Sequence, residues 1–253
     1  MKQADKFKKI YSDLWMRGKK FSPRNLLTIE LENYHTEFLP EHQFINFECR
    51  KLNINYIKKE IQWYFKGDLS DLSICNEAKI WQHCVTNGII HSNYGYYLFS
   101  QAGLSFIVDE LKRDPDSRRG LVSIFNSHKH LFSDNKDVPC TATLGFRIRD
   151  NKLNMTVHMR SQDAIYGLGN DLPFFNLCWE IVATALGIPQ GKYHHFVESF
   201  HVYEKHFGML QHIIGGDKFS VITRPIIAQD DVKQLLNALY PHEGSEFMVW
   251  LND

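Results

Sequence analysis

The chain has 253 residues, 43% of them hydrophobic, and its 29 Lys and Arg balance its 29 Asp and Glu, giving a formal net charge of zero at pH 7. This length can bury a substantial core, and we expect a single domain over residues 1–253. The neutral charge argues against nucleic acid as a primary partner, and the sequence has no apolar run long enough to predict a membrane-spanning segment.

Helical and extended patterns alternate through the first half of the chain. Residues 5–16 place their apolar side chains on one helical face, and residues 26–34 alternate like a half-buried strand. A buried helix that ends near Gly67 follows, and residues 104–114 indicate another helix before a turn.

The second half is richer in strands. Residues 121–125 and 141–148 have strand patterns, and the turn signal Asp150-Asn151 leads into a further strand, which predicts a hairpin. The later predicted elements are a helix over about 172–186, a strand over 193–202 and a helix around 232–239. Together these elements predict a mixed α/β, or α+β, fold with a large sheet.

The histidine and cysteine patterns argue against a bound metal. The spacing of His194, His195 and His206 fits no compact ligand set, and the pattern does not supply the carboxylate and cysteine partners of a metal site. The cysteines are odd in number and show neither a CxxC pair nor metal-ligand spacing, so we expect free thiols in a reducing cytoplasm. They are Cys49, Cys75, Cys84, Cys140 and Cys178.

Cys140 lies at the start of a predicted strand, directly after Pro139. Cysteine is often a small buried hydrophobe, so this position alone is weak support for a nucleophile. Positive charge nearby would favour the thiolate, and Arg118, Arg119 and Arg160 flank the same predicted sheet. These arginines could also bind a phosphate, although a solvated surface position is the commoner fate of a single arginine.

Six segments, in their order and approximate spacing, resemble the thymidylate synthase family and its hydroxymethylase relatives. The match extends over most of the chain, and the segments that carry it are KKEIQWYFKGD (58–68), KIWQ (79–82), NYG (93–95), DPDSRRG (114–120), VPCTATLGFRIRDNKLNMTVHMRSQDAIYGLGND (138–171) and SFHVYEKH (199–206). Within the family, residues 91–95, 114–120 and 160–171 are similar to the phage hydroxymethylases that act on deoxycytidylate. The resemblance implies a thymidylate synthase-like fold, with a mixed sheet packed by helices and a homodimer formed through the sheet.

The resemblance also implies a set of catalytic residues. Cys140 would add to C6 of a pyrimidine nucleoside monophosphate, making C5 a nucleophile toward the methylene of 5,10-methylenetetrahydrofolate. Glu60 would be the general acid and base, since a carboxyl set among aromatic residues could have a raised pKa; an exposed helix glutamate is the alternative. Tyr94 and Asp171 would complete this set.

Phosphate binding is implied for a group of arginines and one serine. Arg160 and Ser161 would hold the nucleotide phosphate, and Arg24 would complete the cluster. Arg118 and Arg119 would reach the same phosphate from the other subunit of a homodimer.

The sugar and the folate would contact other residues. His201 and Tyr203, two apart on a strand and therefore on one face, would bind the sugar 3′-hydroxyl, and nothing identified excludes a 2′-hydroxyl. Trp81, Asp163 and Gly167 would contact the folate. A core tryptophan and a turn aspartate are the alternatives for Trp81 and Asp163.

Asp171 bears on the choice of base, because thymidylate synthases carry an asparagine there. Cytosine presents its N4 amino group and, after thiol addition, a protonated N3, and a carboxylate can accept from both. A carboxylate facing uracil O4 would place one hydrogen-bond acceptor against another, at a cost of about 1–3 kcal/mol when buried. Cytosine is therefore favoured. Asp171 followed by Pro173 is also a typical helix start, with Asp171 as the N-cap, so capping is a second interpretation.

Three departures from the synthases favour hydroxymethylation. Thr141 replaces the histidine usual after the nucleophile, Cys84 stands about where a second folate-side tryptophan is usual, and the final MVWLND lacks an apolar closing tail. A re-shaped lid would let water rather than hydride react with the transferred carbon. We predict 5-hydroxymethylation of dCMP, with C5 methylation of dCMP or dUMP as an alternative. A non-catalytic nucleotide- or RNA-binding protein on the same fold is an alternative of another class.

Overall fold

A six-stranded mixed sheet organises the protein, seen in a computed structural model that describes residues 2–132 and 134–253. The strand order is β1-β2-β6-β5-β4-β3, and the β5–β6 pair is parallel while the other neighbouring pairs are antiparallel. The predicted mixed α/β class and the 150–151 hairpin are confirmed. The strands are β1 (Lys19–Phe21), β2 (Thr28–Phe38), β3 (Leu121–Ser123), β4 (Thr141–Arg149), β5 (Lys152–Asp163) and β6 (Gln190–Tyr203).

Helices pack against this sheet, and the longest of them, α6, connects the two parallel strands and is largely buried. Among the described residues no helix is both long enough and apolar enough to cross a membrane. The α-helices are α1 (Gln3–Arg17), α2 (Ile54–Lys66), α3 (Ile74–Glu77), α4 (Gly103–Arg113), α5 (Ser127–His130), α6 (Gly167–Leu186), α7 (Phe207–Gly215), α8 (Gln229–Leu236) and α9 (Glu246–Asn252).

Local sequence explains the bounds of α2. The Asn53 side chain accepts a hydrogen bond from the Tyr56 amide at its start, and Gly67 ends it in the left-handed conformation with φ of 56°. The predicted end near Gly67 is confirmed. A Cβ on Gly95 would lie 1.6 Å from the Tyr64 carbonyl oxygen, so only glycine allows the segment that carries Tyr94 to pack this closely on α2.

The start of α6 differs from the prediction. We expected a helix from about Leu172 with Asp171 as its N-cap, but α6 begins at Gly167 and Asp171 lies inside it. Instead, Asp163 Oδ1 accepts hydrogen bonds from the backbone amides of Ile165 and Tyr166, both at 2.7 Å, and so satisfies donors that precede the helix. The capping interpretation of Asp171 is wrong, and its side chain is available for another role.

The remaining differences concern element lengths. β3 stops at Ser123 rather than continuing to residue 125, and β6 extends beyond the predicted 193–202 at both ends. The late helix lies at Gln229–Leu236 rather than around 232–239. The sequence analysis missed α9, whose Leu251 carbonyl accepts a hydrogen bond from Gln62 Nε2 on α2.

Candidate active site

A cavity of about 710 Å³ opens where α2, α6 and the ends of β5 and β6 meet. Its wall includes most of the residues that the sequence analysis singled out, although they are far apart in the chain. Those residues are Arg24, Glu60, Trp81, Tyr94, Cys140, Arg160, Ser161, Asp163, Gly167, Asp171, His201 and Tyr203.

The Cys140 thiol lies in this cavity directly before β4. Arg160 Nη2 is 3.7 Å from its sulfur, and the same guanidinium is oriented by the carbonyls of Pro139, 3.0 Å from Nε, and Val138, 2.5 Å from Nη2. Burial raises the pKa of the Cys140 thiol above its ordinary value, while Arg160 and Arg24 act in the opposite direction. The expected positive charge is therefore present, but its effect on the thiol pKa is smaller than that of desolvation.

Glu60 is a buried member of α2, with 4% of its surface exposed, which excludes the exposed-helix alternative. Burial, followed by the nearby Asp171 carboxyl, raises the pKa of Glu60 to about 8. Tyr56 Oη donates to Glu60 Oε1 at 2.7 Å, and Trp81 Nε1 donates to Tyr56 Oη at 2.9 Å. The carboxyl can therefore hold a proton at neutral pH and release it as the pH or its surroundings change.

Asp171 faces the cavity from the second turn of α6. Burial raises the pKa of Asp171 to about 7, and a hydrogen bond from Gln162 Nε2 to its Oδ2, at 2.9 Å, acts in the opposite direction. Near neutral pH this carboxyl can therefore hold or release a proton. Asp171 can thus present either an acceptor or a donor to a ligand.

Two groups of cationic residues lie in different places. Arg24 and Arg160 are exposed at the cavity wall beside Ser161, and Arg24 adopts a left-handed backbone with φ of 53°. Arg118 and Arg119 are exposed on the loop between α4 and β3 and do not line this cavity within the described chain. That loop is anchored by the buried Glu110, whose Oε1 accepts from Ser117 Oγ at 2.7 Å and lies 3.8 Å from Arg119 Nε.

His201 and Tyr203 share a face of β6, as their spacing predicts. Both line the cavity, and their ring centroids are 5.1 Å apart. His201 Nδ1 is 3.2 Å from the Ser199 carbonyl, to which it donates, so its Nε2 is left for a ligand. Trp81 is only partly buried, so it is not simply a core tryptophan, and Asp163 both lines the cavity and orders the turn before α6.

The sequence analysis missed Tyr56 and Gln162, which line the cavity, and the roles of His195 and Tyr193, which lie behind Gln162. Tyr56 was detectable, because it lies four residues before Glu60 and so on the same helical face. Gln162, His195 and Tyr193 were not, because nothing in the local sequence indicates that they lie close to Asp171. Only the pairing of β5 with β6 and the packing of α6 bring Gln162 to Asp171.

The three histidines considered as metal ligands are separated in the fold. His195 is buried, and His206 lies 4.0 Å from Asp163, as measured from Nδ1 to Oδ2. His194 lies instead with His35 and Glu37, with one ligand atom of each within 4.8 Å of the others, because the pairing of β2 with β6 brings Glu37 next to His194. Glu37 in this group also forms a 3.0 Å ion pair with Lys192, and the group lies outside the cavity.

The cavity combines a cysteine thiol, buried carboxyls and adjacent arginines on a mixed sheet, the arrangement of enzymes that attack an anionic substrate with a thiol while a carboxyl moves protons. The chain belongs to the thymidylate synthase family, whose sequence model matches residues 5–239.

Three phage proteins illustrate its relatives. The deoxycytidylate 5-hydroxymethyltransferase of Enterobacteria phage T6 is 36% identical over 177 residues, which cover 64% of this chain and 72% of the relative. The protein of the same name from Enterobacteria phage T4 is 34% identical over 177 residues, which again cover 64% of this chain and 72% of the relative. The deoxyuridylate hydroxymethyltransferase of Bacillus phage SP01 is 36% identical over 157 residues, or 61% of this chain and 39% of the relative.

Proposed function

We propose that this protein transfers a one-carbon unit from 5,10-methylenetetrahydrofolate to C5 of a pyrimidine nucleoside monophosphate and releases the 5-hydroxymethyl product, with dCMP as the favoured substrate. The observation that carries the proposal is that Cys140, Glu60 and Asp171 line one cavity. The family resemblance adds that Asp171 stands where thymidylate synthases carry an asparagine. Family membership and the names of the phage relatives support the same reaction.

In the proposed reaction the nucleotide phosphate binds Arg24, Arg160 and Ser161, and the sugar 3′-hydroxyl binds His201 and Tyr203. Neutralising Arg160 with the phosphate would weaken its support of the Cys140 thiolate, so thiol deprotonation must be coupled to attack on C6. Glu60 is suited to relay that proton through water, since its carboxyl can release one proton as it takes up another.

The one-carbon unit is then transferred through a covalent adduct between Cys140 and C6 of the base. The Cys140 sulfur bonds to C6, the electrons of the C5–C6 double bond attack the folate methylene, and a carbon–nitrogen bond of the folate breaks. C5 loses its proton to water held near Glu60 and Tyr94, which generates an exocyclic methylene as tetrahydrofolate leaves. Water adds to that methylene and the Cys140–C6 bond breaks, giving 5-hydroxymethyl-dCMP and the free thiol.

The folate side of the pocket is proposed to comprise Trp81, Asp163 and Gly167. A folate presents a flat aromatic pterin with ring N–H donors, which a partly exposed indole and a carboxylate match. Cys84 also lines the cavity and is small, so it leaves room that a tryptophan would fill. That room supports access of water to the transferred carbon.

We further propose a homodimer in which Arg118 and Arg119 reach the phosphate of the partner's site. Their exposure, and their position outside the cavity of their own chain, support this arrangement.

One assay decides among the candidate functions. The protein is incubated with methylenetetrahydrofolate and dCMP, dUMP or CMP, and product masses are measured; hydroxymethyl-dCMP is the expected product. Hydroxymethylation of dUMP, which the Bacillus phage relative's name favours as the second candidate, would overturn the base assignment. A methyl product would overturn the assignment of water as the final nucleophile, and nucleotide binding without turnover would favour a non-catalytic binding protein.

A further inference from the structure

A chain of buried hydrogen bonds lies directly behind Asp171. Tyr193 Oη is 2.7 Å from His195 Nδ1, His195 Nε2 is 2.7 Å from Gln162 Oε1, and Gln162 Nε2 is 2.9 Å from Asp171 Oδ2. Tyr193, His195 and Gln162 are 0%, 1% and 3% exposed. We propose that Gln162 is a positioning residue that keeps Asp171 a hydrogen-bond acceptor toward the base, with His195 and Tyr193 fixing the direction of its amide. This inference rests on the proposed role of Asp171 in base recognition.

The direction of the chain follows from the donors available. Burial lowers the pKa of His195 to about 3, so its ring is neutral and carries one N–H. The phenol of Tyr193 has no other hydrogen-bond partner among the described residues, so its O–H is satisfied only by donating to Nδ1. Nε2 then carries the proton and donates to Gln162 Oε1. The Gln162 amide is therefore turned with its NH2 toward Asp171.

This arrangement controls what Asp171 presents to the cavity. Its Oδ2 accepts from Gln162, which stabilises the carboxylate and leaves Oδ1 to accept from a ligand. With the amide reversed, Gln162 Oε1 would face Asp171 and the carboxyl would have to carry a proton to make the same contact. A protonated Asp171 could donate to uracil O4, so the orientation of Gln162 favours cytosine.

Among the titratable groups that influence Asp171 in the described part of the chain, none is a cation that could stabilise its carboxylate in place of Gln162. The titratable groups around it are Tyr56, Glu60 and Tyr64 from α2, Tyr94, Cys140, and Asp163 and Tyr193 from β5 and β6. Burial and the Asp163 charge raise the pKa of Asp171, and the Gln162 hydrogen bond lowers it. Removing that hydrogen bond should therefore protonate Asp171 further at neutral pH.

The test compares kcat/KM for dCMP and dUMP from pH 6 to pH 9 in wild type and Gln162→Met, which has similar volume and no amide. The dCMP-to-dUMP ratio should fall by about tenfold at pH 7, the size expected for one hydrogen bond to a charged group, and recover as the pH rises and Asp171 ionises. A ratio that stays at the wild-type value across the range, even with a lowered melting temperature, would mean that Gln162 has only a structural role.

Two further variants keep the outcomes separate. Asp171→Asn tests the base-recognition role itself, and an unchanged dCMP-to-dUMP ratio in this variant would overturn the proposed role of Asp171 in choosing the base. If Asp171→Asn changes the ratio and Gln162→Met does not, only the positioning role of Gln162 is overturned. Should Gln162→Met not fold, Tyr193→Phe decides, because loss of the phenol lets the His195 tautomer and the Gln162 amide reverse. It should lower the ratio about threefold at pH 7, and an unchanged ratio would overturn the proposal.

Discussion

Tyr56 donates a 2.7 Å hydrogen bond to Glu60, one helical turn further along α2, and in turn accepts one from Trp81. A residue proposed to move protons is thus connected to a residue proposed to contact the folate. The phenol stabilises the charged carboxylate and so limits the rise in the Glu60 pKa that burial causes.

Tyr56→Phe should therefore raise the pKa of Glu60 further above its value of about 8. The inflection of the kcat profile that reports Glu60 should move to higher pH by about one unit, since a hydrogen bond to a charged group contributes about 1.5–3 kcal/mol. The measurement is kcat against pH. Tyr240→Phe, at a position outside the cavity, is the matched control, and an equal shift in that variant would argue against the Tyr56–Glu60 contact as the cause.

Cys140→Ala should lower turnover by more than about a thousandfold, because it removes the only proposed nucleophile. Nucleotide binding, measured by calorimetry, should persist, since Arg24, Arg160 and Ser161 remain. Cys75→Ala, which lies outside the cavity, should retain full activity. Substantial activity in Cys140→Ala would rule out the covalent mechanism.

Asp171→Asn should shift the preference between dCMP and dUMP toward dUMP by about ten- to a hundredfold in kcat/KM, since an amide can donate to uracil O4. The same change at the exposed Asp109 should leave the preference unaltered. Because Asp171 does not cap α6, a large loss of stability is not expected to obscure the result.

The raised pKa of Glu60 predicts a pH-dependent stability. Its folded-state pKa, about 8, exceeds the ordinary value of 4.5, so the native state binds the extra proton between these values and loses stability as the pH rises through them. The free energy of unfolding of wild type, relative to Glu60→Gln, should fall by an amount on the order of a few kcal/mol from pH 4.5 to pH 8. Chemical denaturation at several pH values measures this difference, and a flat difference would show that the carboxyl is not desolvated. Glu77→Gln, at an exposed site, should show no such trend.

Mixing two inactive variants tests the proposed exchange of arginines between subunits. In a heterodimer of Cys140→Ala with the Arg118→Ala/Arg119→Ala double variant, one site would have both an intact thiol and the partner's arginines. Equal mixing with random reassociation should therefore restore about a quarter of wild-type activity. If the arginines acted within their own chain, the mixture would remain as inactive as its parts.

Much of the fold could be predicted because local signals coincide with tertiary packing. Gly67 ends α2 where its left-handed conformation requires glycine, and the Asp150-Asn151 turn joins β4 to β5 as expected. The start of α6 was mispredicted because Asp171 and Pro173 imitate a helix start, whereas Asp163, eight residues earlier, supplies the actual hydrogen bonds to the preceding turn. The residues at 171–173 are compatible both with a helix that starts there and with one that starts at Gly167.

The candidate site also has a part that the sequence predicts and a part that depends on tertiary packing. Family motifs brought Cys140, Glu60 and Asp171 to attention, and the fold places them in one cavity. The hydrogen-bond chain from Tyr193 to Asp171 could not be predicted, since its members belong to two strands and a helix whose contact depends on the β5–β6 register. The net effect of burial on the Cys140 thiol likewise depends on packing that no motif encodes.

The parallel pair of β5 and β6, joined through α6, has a consequence for how the protein acquires its site. Parallel neighbours cannot pair through a tight turn, so residues 152–203 must close a long loop before these strands meet. Arg160, Asp171 and His201 all belong to this crossover, whereas Cys140 precedes the local β4–β5 hairpin. A folding intermediate with only the β4–β5 hairpin formed would thus expose the Cys140 thiol without a pocket around it. The thiol would react selectively with a bound nucleotide only after β6 had paired with β5.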